Sequence, residues 1–451
     1  MEDLLTLEQQ SQEIVKLNLA MLAGSILNIG IHFNMTHIPV NLAQKITTMN
    51  CIRCIFLVLS ILQISCRGYQ KELSKKEAYY EVDVDTLEDR GVGLISSYFK
   101  SVKPIILETS ENNLLKSIDA IQVTSDCIFI LDRGYKKLHC FDKAGRFIRQ
   151  IGHLGNGPGE FNNISDFTLD ENNKLIFILD NYTSKIHVYK FTGEHIFSIN
   201  IHNTMDGVFG HIQYSNNHLF TDYQPNKIST KGAAPLLMKI DINSGKLLDE
   251  YLSSEIYNLG FQLITFKNNS YFYSKNSHSP YYAPIYSNIV FSIENNITPY
   301  FQIKSSRLLK KDDLETFDLS FSGIIADINN LNKIKSIWNF LEIGDYIICE
   351  YSDWYKLNTI VFSKTNKSAN LYGGFFDDYV YKVFEGSIPH YMACSDTKGM
   401  YAHMNINDIP LFIDYYNSGK IKFDFNQFQI DITEDLSEDS NPLLFYYELR
   451  E

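Results

Sequence analysis

The feature that most constrains this chain is a pattern that occurs twice, 48 residues apart. Ile128-Phe129-Ile130-Leu131-Asp132 returns as Ile176-Phe177-Ile178-Leu179-Asp180. Leu138-His139-Cys140-Phe141 returns as Ile186-His187-Val188-Tyr189, Gly145 as Gly193, and Ile148 as Ile196. Between the copies lies Gly155-Asn156-Gly157-Pro158-Gly159-Glu160-Phe161. A unit of this length with four short apolar runs cannot bury its own faces. It is stable only when stacked on neighbours, as a propeller blade is. The chain is therefore expected to be all-β.

Carrying the reading along the chain gives a six-bladed β-propeller of four-stranded antiparallel blades over residues 79–451. Blade one has strands Ile118–Val123, Cys127–Leu131, Lys137–Phe141 and Phe147–Ile151. Blade two has Ile164–Leu169, Leu175–Leu179, Ile186–Tyr189 and His195–Ile199. The second strand of each is almost wholly apolar, as expected where both faces are covered by neighbouring blades. Blade three reads as Ile212–Tyr214, Leu219–Tyr223, Leu236–Ile242 and Leu247–Leu252. Blade four reads as Phe261–Phe266, Ser270–Tyr273, Ile289–Ile293 and Ile297–Ile303, with a helix-like insert after it. Blade five reads as Ile334–Phe340, Tyr346–Tyr351, Thr359–Ser363 and Ala369–Tyr372. Blade six has Tyr391–Ser395, Met400–His403, an amphipathic stretch and Leu443–Leu449, one strand short. Tyr80–Val84 is expected to supply the missing strand, so that both ends of the chain close the ring and leave no open edge.

Composition narrows the function classes. Aromatics make up 14% of the chain, nearly all Tyr and Phe, which suits packing on pleated sheets. The net charge of −13 argues against nucleic acid, whose phosphates need a basic face. Cys127, Cys140, Cys349 and Cys394 are scattered through strand-like runs and read as small buried side chains, with a disulfide left open in an oxidising compartment. No zinc spacing, serine nucleophile elbow or paired catalytic carboxylates are visible, so no metal or cofactor is expected.

The N-terminal region reads as an address. Cys54 to Ile64 is an apolar run too short to span a bilayer, preceded by Met49 and one Arg, and it ends in Leu62-Gln63-Ile64-Ser65-Cys66. Residues 49–66 resemble a bacterial lipoprotein signal, which implies cleavage before Cys66 and lipidation of its thiol; Gln63 departs from the Leu-like residue of that pattern. A secretory signal cut elsewhere, or a buried hydrophobic strand, is the alternative. Residues 1–48 are expected to be upstream sequence translated from a wrong start, and 67–78 a linker. The basic Arg67 and Lys71 after Cys66 favour, by the same resemblance, retention facing the periplasm.

The glycine-rich segment is not a phosphate loop. Such a loop needs a helix after it, and here Ile164 begins a strand. Gly155, Gly157, Pro158 and Gly159 read instead as an inter-blade link that bends where glycine permits it and is stiffened by proline. With the strand, Asp180 and the Gly193 turn that follow, this segment resembles NHL-type repeats. Leu107-Glu108-Thr109 before the first blade, Asn441-Pro442-Leu443-Leu444 before the last strand and the lipoprotein signal resemble the six-bladed propeller lipoproteins of Bacteroides and its relatives. That resemblance implies the fold and an envelope address, and carries no catalytic residue.

Asp132 and Asp180 read as turn caps, with a cation site at the channel mouth as the competing reading. His139 and His187 read as satisfied strand histidines. The segment 271–286 is dense in tyrosine and holds two prolines, and it reads as a long loop. Tyr273, Tyr281, Tyr282 and Tyr286, with Trp354 and Tyr355 of blade five, form the candidate binding face, because rigid amphipathic aromatics suit contact surfaces. The favoured function is a monomeric, lipid-anchored scaffold or binding module for an envelope protein, peptide or glycan. The alternative is a hydrolase or lyase with a metal in its channel, for which Asp119, Asp166 and His390 are candidates.

Overall fold

The computed structural model describes residues 78–201, 207–225, 234–257, 272–274, 280–294, 296–314, 331–353 and 356–450. The signal segment, Cys66 and the strand read at 261–266 lie outside the described residues. Six sheets, each a meander running from an inner to an outer strand, form the propeller. Blade one is Ala120–Val123, Cys127–Asp132, Lys137–Asp142 and Phe147–Ile151. Blade two is Asp166–Asp170, Leu175–Asp180, Lys185–Lys190 and His195–Asn200. Blade three is Gly207–Ser215, His218–Pro225, Pro235–Asp241 and Leu247–Ser253. Blade five is Ile334–Ile343, Tyr346–Asp353, Lys356–Ser363 and Ser368–Tyr372.

Two expectations are corrected. In blade four, Phe272–Tyr273 is the inner strand and Tyr281–Tyr282 the second, followed by Ile289–Ile293 and Ile297–Lys304. Pro280 and Pro284 flank a strand of two residues, so within the segment that reads as a loop Phe272–Tyr273 and Tyr281–Tyr282 are sheet. In blade six, Tyr391–Ser395, Gly399–His403 and Leu443–Leu449 are completed by Phe99–Ile106, not by Tyr80–Val84. Tyr80–Asp83 instead runs parallel to Ile297–Lys304 as a fifth strand of blade four. From there the chain follows the outside of the ring. Asp89 bridges Leu371 of blade five, Gly93–Leu94 pairs with Phe375–Phe376, and the closing strand comes next. Pro104 sits in that closing strand, where an edge position tolerates its missing N–H.

The repeat residues have repeated jobs. Asp132 accepts from the backbone N–H of Tyr135 (2.9 Å) and Lys116 (2.6 Å). Asp180 accepts from those of Tyr182 (3.0 Å) and Asn162 (2.8 Å). Each carboxylate thus caps its turn and also ties down the link entering its blade. Gly145 has φ +87°, and a Cβ there would lie 2.0 Å from the Ile106 carbonyl oxygen of the closing strand. Only glycine lets this turn dock on blade six. The link Gly155–Glu160 leads into a strand, as read, and is folded around Glu160, which accepts from the Gly157 N–H at 2.7 Å.

The histidines differ from expectation. His187 Nδ1 lies 2.9 Å from the Ser198 hydroxyl, but His139 is fully buried and neither ring nitrogen has a hydrogen-bond partner among the described residues. Burial pushes its pKa down to about 4, so the ring is neutral and packs between Phe141 and Phe147 as an aromatic. Cys140, Cys349 and Cys394 are buried, Cys127 is half-buried, and none of the four forms a disulfide.

The two motifs that flank the propeller meet at one residue. Asn441, fully buried, accepts from the Leu115 N–H (2.8 Å) and donates to the carbonyls of Glu108 (2.9 Å) and Asn113 (3.1 Å), while its own N–H donates to Thr109 Oγ1 (2.9 Å). Replacing Asn441 by Ala strands three backbone groups, two of them on the buried Asn113 and Leu115. It should cost roughly 2–4 kcal/mol of stability, measurable by chemical denaturation. The same change at Asn172, which is exposed in a turn of blade two, should fall within about 0.5 kcal/mol of wild type.

Candidate functional site

In an antiparallel meander, the links into inner strands and the turns between second and third strands lie at one end of the ring. The remaining turns lie at the other. A cavity of about 1180 Å³ sits at the link end. Its walls come from the link and inner strand of blade one (Ile118–Ile121) and the inner strands of blades four, five and six. Part of its rim is the segment 384–390 that leads into blade six. The helical insertion of blade six, with helix Ile409–Asn417, lies between the second and third strands and therefore rises on the same end. The floor is apolar, with Ile95, Ile121, Leu341, Ile388 and Met400 among its residues. Trp338, Phe384 and Tyr391 line the cavity while 43%, 55% and 48% exposed.

One wall carries a buried polar cluster. His390 Nδ1 lies 3.0 Å from Asp377 Oδ2 and 2.6 Å from the Tyr447 hydroxyl, and its Nε2 lies 3.1 Å from the Tyr381 hydroxyl. Tyr447 donates to Asp377 Oδ2 at 2.6 Å, and the His390 ring stacks on Phe445 with centroids 4.1 Å apart. Burial would raise the Asp377 carboxyl, but the His390 contact, the Tyr447 hydroxyl and the Val380 N–H outweigh it and hold the group below the usual carboxylate range. The same burial, with the Asp377 charge beside it, pushes the Tyr447 phenol far up. The cluster joins the start of segment 377–390 to its end and both to the last strand. It latches the rim of the cavity to the closing blade.

The residues anticipated from sequence are distributed differently. Tyr273 reaches the cavity from the inner strand of blade four, with its hydroxyl donating to the Ile337 carbonyl at 3.2 Å. Tyr281 and Tyr282 are buried in the second strand, where Tyr281 packs against Tyr300 and bonds Glu342, and Tyr282 donates to the Leu236 carbonyl at 2.9 Å. Those two rings join blades rather than face solvent. Tyr286 is half-buried in the following turn, and Trp354 and Tyr355 lie outside the described residues. Of the channel candidates, Asp119 and His390 line the cavity and Asp166 does not. Asp119 accepts from the Ser117 hydroxyl and the Arg133 N–H (2.7 Å), and Asp166 accepts from the Ile212 N–H (3.0 Å), joining blades two and three. Among the described residues no group of three or more His, Cys, Asp or Glu side chains is placed to hold a metal ion.

Sequence reasoning missed Trp338 and Tyr391. Trp338 sits in the strand that reads as Ile334–Phe340 and is observed as Ile334–Ile343. Register shifts fall at Lys335 and at Trp338 itself, so the indole sits at an irregularity of the ladder, and it is 43% exposed.

The family model for a domain of unknown function, DUF4934, matches residues 80–448. No curated protein matches the sequence. Among solved structures, a Bacteroides fragilis protein thought to be exported is similar with a TM-score of 0.62 at 16% identity, over 82% of this chain and 99% of that one. A member of the DUF4221 family from Bacteroides vulgatus has a TM-score of 0.45 at 13% identity, over 78% of this chain and 96% of that one. The first likeness is one of fold.

The latch makes a prediction. Asp377→Asn removes the charge shared by His390 and Tyr447 and should destabilise the protein by about 3 kcal/mol. Amide exchange should quicken in residues 377–390 more than in blade two. In the native protein the Asp377 contribution is present above the unfolded carboxyl pKa, about 3.9, and is lost as pH falls through the lowered folded value. The variant's stability should therefore depend less on pH across that acidic window.

Proposed function

The chain belongs to the DUF4934 family, and from that premise we propose that it is a lipid-anchored binding module of the bacterial envelope, with the cavity at the link end as its binding site. The observation that carries the reading is the cavity itself. Its volume of about 1180 Å³ is a little above the roughly 300–1,000 Å³ of small-molecule sites, which leaves room for a larger ligand. Three aromatic side chains at its rim keep close to half their surface exposed instead of packing into the core. Large apolar side chains left open beside a concave apolar floor are what recognition surfaces use.

A non-catalytic role is supported by the polar cluster. His390, the strongest acid–base candidate, has both ring nitrogens within hydrogen-bond reach of Asp377, Tyr447 and Tyr381, so it is held in place as a structural group. The envelope address is supported by the lipoprotein-like segment ending at Cys66 and by the resemblance of Leu107-Glu108-Thr109 and Asn441-Pro442-Leu443-Leu444 to the flanking segments of envelope propellers. No helix among the described residues is long and apolar enough to cross a membrane. The ligand is an envelope protein, peptide or glycan.

Full-length protein in detergent, exposed to envelope extract of its host, tests this. The Trp338→Ala, Tyr391→Ala double variant should hold its ligand at least tenfold more weakly, the effect expected of two rim anchors, with its circular dichroism unchanged. Equal retention by the double variant would put the site elsewhere and overturn the reading. In the same cells, metabolic palmitate labelling should vanish in Cys66→Ala.

A further inference from the structure

The charge of the cavity selects its ligand. Asp119, Glu350, Asp377 and Glu385 line it, and no Lys or Arg is among the described residues that do. Arg133 stands behind Asp119, with its guanidinium 4.0 Å from the carboxylate, and His390 faces Asp377. Burial holds the His403 imidazole below its ordinary value, so this ring adds no positive charge at neutral pH. Counting the arginine and a protonated His390, the lining remains negative on a chain whose net charge is −13. Low-dielectric walls around a concave site strengthen such a field. Ligands bearing phosphate or carboxylate are repelled. The rim rings Trp338, Phe384 and Tyr391 offer faces to a cation.

The lining also separates a peptide from a saccharide. A sugar must exchange its bonds to water for bonds to the protein. Several of the amides and hydroxyls that could accept it are already engaged, and a neutral sugar gains nothing from the surrounding negative field. Asn339 donates to the Met392 carbonyl (3.0 Å) and accepts from the Phe340 N–H (2.9 Å). Asn405 accepts from the Asn407 N–H (3.0 Å), and the Ser274 hydroxyl contacts the Phe340 carbonyl and the Glu342 N–H. What is left is an apolar floor under an acidic wall. Resting on the reading of this cavity as the binding site, we propose that its ligand is a peptide segment carrying Lys or Arg beside large apolar side chains.

The chain has two tryptophans, so Trp354→Phe leaves Trp338 as the sole reporter in the full-length protein. Three soluble hexapeptides, identical except for Lys, Gln or Glu at one position between Leu and Phe, are titrated against its fluorescence in detergent. The Lys peptide should bind about tenfold more tightly than the Gln peptide and the Glu peptide most weakly, a gap of the size that one partly desolvated charge contact produces. The preference should shrink to about threefold or less in Glu350→Gln, Glu385→Gln and fall with added salt. Equal affinities, or tightest binding of the Glu peptide, overturn the cationic assignment while leaving the cavity a binding site. A Trp338 response to envelope oligosaccharide and to none of the peptides overturns the peptide assignment, again leaving the cavity. No response to either class, with envelope ligand still held by the Trp338→Ala, Tyr391→Ala variant, removes the site and the proposal together.

Discussion

The structure depends on one pairing. Leu443–Leu449, the last strand of the chain, is hydrogen-bonded to Phe99–Ile106, near its beginning, from Leu443 opposite Ile106 to Leu449 opposite Phe99. Without it blade six has three strands and an open edge, and no covalent link holds the last blade to the first. Asn441 and Gly145 work on the same closure. Asn441 pins the entry to the last strand against residues 108–115, and the Gly145 turn of blade one rests on the Ile106 carbonyl. The cavity and its latch inherit their position from this closure, because Tyr447 of the last strand is the hydroxyl that holds Asp377.

At five of the six blade junctions, a polar group ties an inner strand to the neighbouring blade. Gln122 donates to the Phe167 carbonyl, Asp166 accepts from Ile212, Ser215 donates to Ile293, Tyr273 to Ile337 and Asn339 to Met392. Each such bond fixes the rotation of one blade on the next, which apolar packing alone leaves loose, and each satisfies a buried group that would otherwise be costly. Outside, the N-terminal segment runs along blades four, five and six before it closes the ring. It covers outer strands whose open N–H and C=O groups would invite pairing with other chains. The cavity lies on the side of the ring that this segment braces, and its rim rings therefore sit on a supported frame.

Local pattern carried much of this. The second strands of blades one and two are apolar on both faces and recur in tandem, so their bounds differ from the structure by one residue. Phe147–Ile151, Tyr391–Ser395 and Leu443–Leu449 were legible to the residue, since turn chemistry and apolar runs marked both ends. Pairing partners were not legible. Tyr80–Asp83 shows clean alternation, but nothing local says which of two outer strands it joins. Tyr281–Tyr282 lies between prolines and reads as loop, although burial in blade four overrides that signal. At the site, Tyr273 was anticipated and the exposed rim was not. Trp338 sits at a strand irregularity, and the Asp377–His390–Tyr447 cluster joins residues up to 70 positions apart, which no spacing rule reports.

The most direct test of the account is site-specific photocrosslinking in living cells. Leu357 lines the cavity and is 45% exposed, whereas Asn172 is exposed at the opposite end of the ring, between the inner and second strands of blade two. A photoreactive phenylalanine analogue at each position, in full-length protein in its own envelope, reports which end meets a ligand. The account predicts a discrete adduct from position 357 and none from position 172. An adduct from position 172 with none from position 357 would contradict it.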